Sequence, residues 1–494
     1  MATRSTPSYY IGLAVIFAYG VRAYTPGPTA CANLTSILGT SIVNSNTLSP
    51  AYIESRTDYW NTLQDVYEPS CIIYPSSAQD VSVTLQAVRA AGSRFAVKAG
   101  GHNPNTFFSS VDAGVLIDLG SMTGMSYDPD TTLATYEPGS LFGDLYDYYV
   151  QYNRTVVGAR LAGVGTGLAL GGGLSYLSPQ YGMACDSFRE LEIVLPSGDI
   201  VTASNTSEYS DLFFASRGGG GNAYGVVTKY TVQSRPIGEL YAGNIIYLFE
   251  QVDAVASAIE NFIQYNEDPK ASIIGTYEIL GTPDLELDLD QAVIMFLVYD
   301  GTDPGDAFSN FTSIPYLLNL MGNKTYPEVA NMPIPLSTEL SRGENIFRVG
   351  VHRIGDGGYA AALDAWRTWA EDNKGSYVLT SLDFQPIPLS LTEASKSQGG
   401  NAMQMPDGPW FWVNYLISSS PLLTSSEYDA VQASFRDMVA NVSNAEGLPL
   451  FINDANKDQN PLTTFSTYST LQQIKQKYDP DDFFSNYTGG WSFD

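Results

Sequence analysis

The chain of 494 residues holds only two histidines, and one of them follows paired glycines in Lys98-Ala99-Gly100-Gly101-His102-Asn103. Glycines that end a strand expose successive backbone N–H groups, and with no Cβ in the way they can approach a pyrophosphate closely. A denser series comes next: Gly163-Val164-Gly165-Thr166-Gly167, then Gly171-Gly172-Gly173, then Tyr181-Gly182 and Asp186. A third run, Arg217-Gly218-Gly219-Gly220-Gly221-Asn222, follows. One glycine cluster marks an ordinary turn more often than a ligand site. Three of them in one strand-rich region point to a dinucleotide cradle beside a single histidine. The cradle is not the Gly-x-Gly-x-x-Gly turn of a doubly wound fold, and no glycine run ends in Gly-Lys-Ser or Gly-Lys-Thr. Two distant histidines and three scattered cysteines lack zinc-ligand spacing, and no Gly-x-Ser-x-Gly elbow is present.

The elements that must position these residues alternate short β-branched runs with glycine turns and helical patches, the texture of an α+β fold. Residues 71–75 read as a strand. Val81, Leu85 and Val88 space a helix over 78–92, and 94–98 forms the strand that delivers Gly100 and Gly101. Further strands are expected at 115–119, 190–195 and 225–232. From about 238 to 423 the texture changes: strands such as 291–299 and 410–417 are separated by helices such as 252–265 and 359–372, a pattern for a largely antiparallel sheet. A last helix spans 470–478.

Composition narrows the partners. With 24 basic against 52 acidic residues, the surface repels phosphate backbones and anionic lipid, so nucleic acid and membrane surfaces are not expected. Arg4, an apolar run over 9–20 and the small residues flanking Arg22 read as an export signal over 1–23. Export agrees with Asn-x-Ser/Thr acceptors at Asn33, Asn153, Asn205, Asn310, Asn323, Asn441 and Asn486, and with a Cys31–Cys71 disulfide in an oxidising compartment. Cys185 is then the odd thiol, read as a small buried hydrophobe. A secreted, glycosylated monomer is the expectation.

Residues 98–103, the glycine series 164–173 with Tyr181-Gly182 and Asp186, the 217–228 run and the tail Asp479-Pro480-x-x-Phe483-Phe484 resemble the berberine-bridge-enzyme-like flavoproteins of the vanillyl-alcohol-oxidase superfamily. The likeness is ordered and covers nearly the whole mature chain. It implies a two-domain α+β fold of the PCMH type: an FAD-binding domain over 67–235, a substrate-binding domain over 236–450 with an antiparallel sheet, and a segment 451–494 returning to the FAD domain. It places the 8α-histidyl bond to FAD on His102. Lys98, Ala99, Gly100, Gly101, Asn103, Val164, Gly165, Thr166, Gly167, Gly171, Gly172, Gly173, Gly182, Asp186, Val227 and Asn453 become the expected cofactor contacts. Many relatives attach the flavin a second time through a cysteine; that position is Leu161 here, so attachment through His102 alone is expected. The family's oxygen gatekeeper corresponds to Val164, and valine there implies O2 as acceptor, with H2O2 released.

The catalytic base departs from the pattern. Carbohydrate-oxidising relatives carry a tyrosine after the asparagine of their C-terminal strand motif, and Phe451-Ile452-Asn453-Asp454 puts Asp454 there. A carboxylate in an apolar cleft gains proton affinity by desolvation, so Asp454 is the expected base. Phe384-Gln385-Pro386 and Gln398-Gly399-Gly400-Asn401 read as cleft-lining strands, with Gln385 a hydrogen-bonding partner of the substrate. His352-Arg353 reads as structural. The expected reaction is hydride transfer from a hydroxylated sugar, alcohol or secondary metabolite to flavin N5. The alternatives are an oxidative cyclase or desaturase, and a flavin-binding protein without turnover.

Overall fold

The computed structural model describes residues 26–281, 290–333, 342–491 and 493, so the export-signal expectation for 1–23 lies outside the described residues. The first sheet contains β1 (Val43–Asn44), β2 (Cys71–Ile73), β3 (Phe95–Lys98) and β4 (Val115–Asp118) in the order β1-β2-β4-β3. β4 runs parallel to both β2 and β3. Parallel strands need a crossover, and the helix Ala78–Ala91 supplies the one from β2 to β3, which lie on either side of β4. The Ser77 side chain accepts from the Asp80 N–H at its start, and Gly92 ends it at φ 61. Its apolar stripe of Val81, Leu85 and Val88 is fully buried. The Cys31–Cys71 disulfide ties the helix Pro26–Leu38 to β2.

β5 (Met125–Asp128) and β6 (Leu133–Tyr136) follow, then a short β7 (Arg154–Thr155), β8 (Phe188–Val194), β9 (Ile200–Ser204) and β10 (Val226–Gln233). Five of these build an antiparallel sheet, β5-β6-β10-β8-β9. β11 (Arg235–Pro236) pairs with β7.

The third sheet comprises β12 (Leu240–Leu248), β13 (Ala271–Leu280), β14 (Gln291–Tyr299), β15 (Leu318–Asn319), β16 (Gly322–Lys324), β17 (Glu344–Arg353), β18 (Tyr377–Ile387) and β19 (Trp410–Ser419). Its order is β15-β12-β14-β13-β18-β19-β17, with β16 beside β12. Its two faces differ because side chains alternate along a strand. Leu382, Phe384, Phe411, Val413 and Tyr415 join a core with Ile259, Trp366 and Phe435 from the helices Val252–Tyr265, Gly358–Asp372 and Ser425–Asn441. Ser381, Asp383, Gln385, Asn414 and Leu416, on the alternate positions, face a cavity.

The C-terminal segment returns to the first sheet. Phe483 and Phe484 pack on Phe95 of β3 with ring centroids 5.2 and 5.3 Å apart. The Asp479 carboxylate accepts the N–H groups of Phe483 and Phe484 at 2.8 and 2.9 Å, which gives the tail motif its structural meaning.

Two local expectations fail. Residues 398–401 are not a cleft strand: the helix Leu389–Ser397 runs into them, and Gly399 and Gly400, at φ 92 and 70, turn the chain out of it. Residues 451–454 form a turn rather than a strand. At 398–401 the polar, glycine-bearing sequence makes a helix end, and in both places no partner strand supplies a ladder. Among the described residues no helix is long and apolar enough to cross a membrane.

Candidate active site

A cavity of about 720 Å³ lies between the third sheet and the loops that follow β3 and precede β8. That volume falls within the roughly 300–1,000 Å³ typical of small-molecule and cofactor sites.

Its glycine wall is a steric device. A Cβ added to Gly100 would stand 2.7 Å from the backbone N and Cα of Gly165, and one added to Gly165 would stand 2.5 Å from the Gly100 nitrogen. Both obstacles are backbone, so neither can swing aside. A bridge between Leu141 and Gly165 and the Phe142 N–H bonded to the Val164 carbonyl (2.9 Å) hold the second loop in place. The two loops touch only because both positions are glycine, and both line the cavity. A Cβ-free wall of this kind, in a cavity of this size, fits a flavin dinucleotide.

His102 lines the same cavity, half-buried, with its ring stacked on Trp60 at 4.7 Å and 8° between planes. Desolvation pushes its imidazole down to about 4, leaving the ring neutral at pH 7 with a free lone pair. Trp60 is held in turn by Phe347 of β17 (4.9 Å) and by its N–H on the Gly101 carbonyl (3.1 Å). Nothing in the sequence marks Trp60, because its importance comes from a contact 42 residues away along the chain.

Of the other expected cofactor contacts, Ala99, Gly101, Asn103, Leu161, Val164, Gly167, Gly171, Val227 and Asn453 line the cavity. Lys98, Thr166, Gly172, Gly173, Gly182 and Asp186 do not, and most of these have structural partners. Lys98 is buried over the Tyr59 ring, donates to the Ser55 carbonyl (2.8 Å) and pairs with Asp118 (3.6 Å). Thr166 donates to the Pro138 carbonyl at 2.9 Å. Asn453 accepts from the Gly173 N–H (3.2 Å) and donates to the Leu168 carbonyl (3.0 Å), bracing the glycine loop from the C-terminal segment. Asp186 is fully buried; it accepts from the Met183 N–H (2.8 Å) and Asn401 (3.0 Å) and meets Arg217 at 3.5 Å. Cys185 is buried, and burial pushes its thiol up. His352 is buried beside Phe411, away from the cavity lining.

The sheet end of the cavity gathers acids. Asp454 is buried and accepts from Gln385 Nε2 at 2.5 Å, while Gln385 Oε1 accepts from Arg160 Nη2 at 2.5 Å. Burial raises the Asp454 carboxyl; the bond from Gln385 and the charge of Arg160 oppose this. Asp383, which no sequence motif singled out, lines the cavity on β18, and burial pushes it up to about 6. Period-two alternation through β18 carries the signal that could have found it, since 381, 383 and 385 share a face.

Comparisons with known proteins agree with this geometry. Residues 69–204 match a family model described as an FAD binding domain. An FAD-linked oxidoreductase of Arthroderma benhamiae is 33% identical over 90% of this chain and 91% of its own. The bifunctional solanapyrone synthase of Alternaria solani is 30% identical over 85% of this chain and 81% of its own. Among solved structures, berberine bridge enzyme from Eschscholzia californica superposes with a TM-score of 0.72 at 16% identity, covering 94% of this chain and all of the other. A glucooligosaccharide oxidase of Acremonium strictum gives 0.74 at 20% identity, covering 92% and 96%. At such identities the superpositions speak for the fold.

Proposed function

Because the chain belongs to the FAD-linked oxidoreductases and shares the fold of berberine bridge enzyme, we propose that it oxidises a hydroxylated small molecule, with His102 as its sole covalent anchor for FAD and O2 as electron acceptor. The observation that carries the proposal is that one cavity holds the glycine wall, a neutral His102 and the Arg160–Gln385–Asp454 chain together. Bound FAD supplies the two-electron acceptor. Gly100, Gly101, Gly165 and Gly167 form the wall that lets it approach, Asn453 fixes the loop carrying Gly171, and Leu161 offers no thiol for a second bond. Val164, which lines the cavity at the position of the family's oxygen gatekeeper, supports O2 as acceptor and H2O2 as product. The substrate's hydroxyl proton passes to the carboxyl cluster that contains Asp454, which Gln385 holds in place.

The sheet end of the cavity presents Ile274, Phe296, Phe347, Leu379 and Leu416. That apolar surround favours a substrate with an apolar body, a secondary metabolite rather than a bare sugar. The solanapyrone synthase relative keeps oxidative cyclisation as a second reading. Secretion is supported by the Cys31–Cys71 disulfide and by the exposure of Asn33, Asn153, Asn205, Asn310, Asn323, Asn441 and Asn486. The division between 235 and 236, with 451–494 returning to the FAD-binding part, is supported by the start of the third sheet at Leu240 and by Phe483 on Phe95.

The test is acid precipitation of the purified protein beside a His102→Ala variant. Yellow flavin is expected to stay in the wild-type pellet and to leave the variant. A wild-type protein free of flavin overturns the proposal.

A further inference from the structure

We propose that Asp383 is the group that receives the hydroxyl proton, that Asn414 binds a second polar group on the atom next to the reacting carbon, and that Asp454 is a positioning residue. The inference rests on the FAD-linked oxidation proposed above and names both the base and the substrate class: an alcohol with an adjacent polar substituent on an apolar body.

Register places these residues. On β18 Asp383 stands opposite Thr276 of β13 on one side and Asn414 of β19 on the other. The three make one polar rung across the middle of the sheet, and all line the cavity. Directly opposed side chains stand about 4.5–5.5 Å apart at Cβ. That spacing suits two polar groups on neighbouring atoms of one ligand, one reaching Asp383 and the other Asn414.

Asn414 supplies an independent observation. Its side chain is 7% exposed, and its Oδ1 is buried without a hydrogen-bond partner. An unmet buried acceptor costs about 1–3 kcal/mol. A cavity-lining amide in that condition is accounted for by a ligand donor that completes it.

Asp454 is differently placed. Its Oδ2 is already engaged by Gln385, itself held by Arg160, so that oxygen is fixed within a chain of hydrogen bonds. What it contributes is a negative charge beside Asp383. The groups facing Asp383 from the packed elements are Thr276 and Glu278 on β13, Ser381 and Gln385 on β18, Asn414 on β19, Arg160 and Asp454. Burial and the Asp454 charge raise the Asp383 carboxyl, while Thr276, Ser381 and Arg160 oppose them. The result near 6 is suited to a base that works around neutral pH.

The step balances. The C–H bond breaks with its electron pair, and the hydrogen passes as hydride to FAD. The O–H bond gives its proton to Asp383 and its electron pair to the new C=O. The alcohol loses two electrons and FAD gains them.

Two measurements test this. Infrared titration of carboxyl groups needs neither substrate nor flavin: a protonated-carboxyl band with a midpoint near 6 is expected in the wild type. It should be lost in Asp383→Asn and shift to lower pH in Asp454→Asn. A band that survives in Asp383→Asn, or a midpoint that Asp454→Asn leaves in place, overturns the pairing. The second is anaerobic flavin bleaching by 1-phenylethane-1,2-diol and by 1-phenylethanol. Asp383→Asn should slow bleaching by the diol ~10²–10⁴-fold, while dithionite still bleaches the flavin. Asn414→Leu should erase a preference for the diol over the mono-alcohol. Unchanged rates in Asp383→Asn, or a wild type indifferent to the second hydroxyl, overturn the assignment. Protein without flavin would instead sink the oxidoreductase reading, and the infrared result would stand apart from it.

Discussion

Replacing Gly165 by alanine isolates the steric requirement of the glycine wall. Gly165 sits at φ −78 and ψ 162, a conformation alanine adopts freely, so the backbone itself is not strained by the change. The new methyl, however, would lie 2.5 Å from the Gly100 nitrogen and 2.7 Å from its Cα. To restore ordinary contact the two loops must part by roughly 0.9 Å, an overpacking that costs ~1–3 kcal/mol. At ~2–4 °C per kcal/mol, the melting temperature should fall by ~2–12 °C. Displacing the cradle by ~1 Å should also cost ~10²-fold in a reaction that depends on cofactor position. The assay is thermal unfolding of the purified protein with flavin stoichiometry read from the acid pellet. Gly163→Ala is the control, because a Cβ there meets nothing within 4 Å. A Gly165→Ala protein that melts within ~1 °C of wild type with full flavin would refute the reasoning. So would an equal loss in Gly163→Ala.

His102 has its proton affinity lowered from 6.5 to about 4 in the folded chain, so the unfolded chain binds the proton more tightly. Stability from this group is therefore full above pH 6.5 and is lost as pH falls toward 4. FAD attachment to the apoprotein, which needs the neutral ring, should hold its rate from pH 8 to pH 5 and fail below about 4. Time courses of acid-stable flavin would show it, and a loss centred near 6.5 would contradict the burial. The Cys31–Cys71 bond joins positions 40 residues apart, so a Cys31→Ala, Cys71→Ala double variant should lose about 4 kcal/mol in urea unfolding. A loss under ~1 kcal/mol would mean that the unfolded chain is not what the bond constrains.

What could be read along the chain was whatever depends on neighbours in sequence. The helix at Ala78–Ala91 was legible because the Val81-Leu85-Val88 stripe and Gly92 lie within it or at its end. The helix Val252–Tyr265 and the strand Gln291–Tyr299 were readable for the same reason, each stating its period within one element. His102 and the glycine runs were also visible, since glycine's lack of a Cβ is a property of the residue itself. The reading failed at 398–401, where polar, glycine-bearing sequence suits a helix end as well as an edge strand.

The sequence by itself determined the α+β texture, the glycine wall and the histidine beside it. Only the tertiary structure decided which side chains share the cavity. Trp60 meets His102 through a loop closure, and Arg160 reaches Gln385 across 225 residues. Gln385 reaches Asp454 across 69 residues, and Asp383 meets Asn414 through strand register. The physical reason is that a strand's period of two states which residues share a face but not which strand pairs beside it, in what register, or what covers that face.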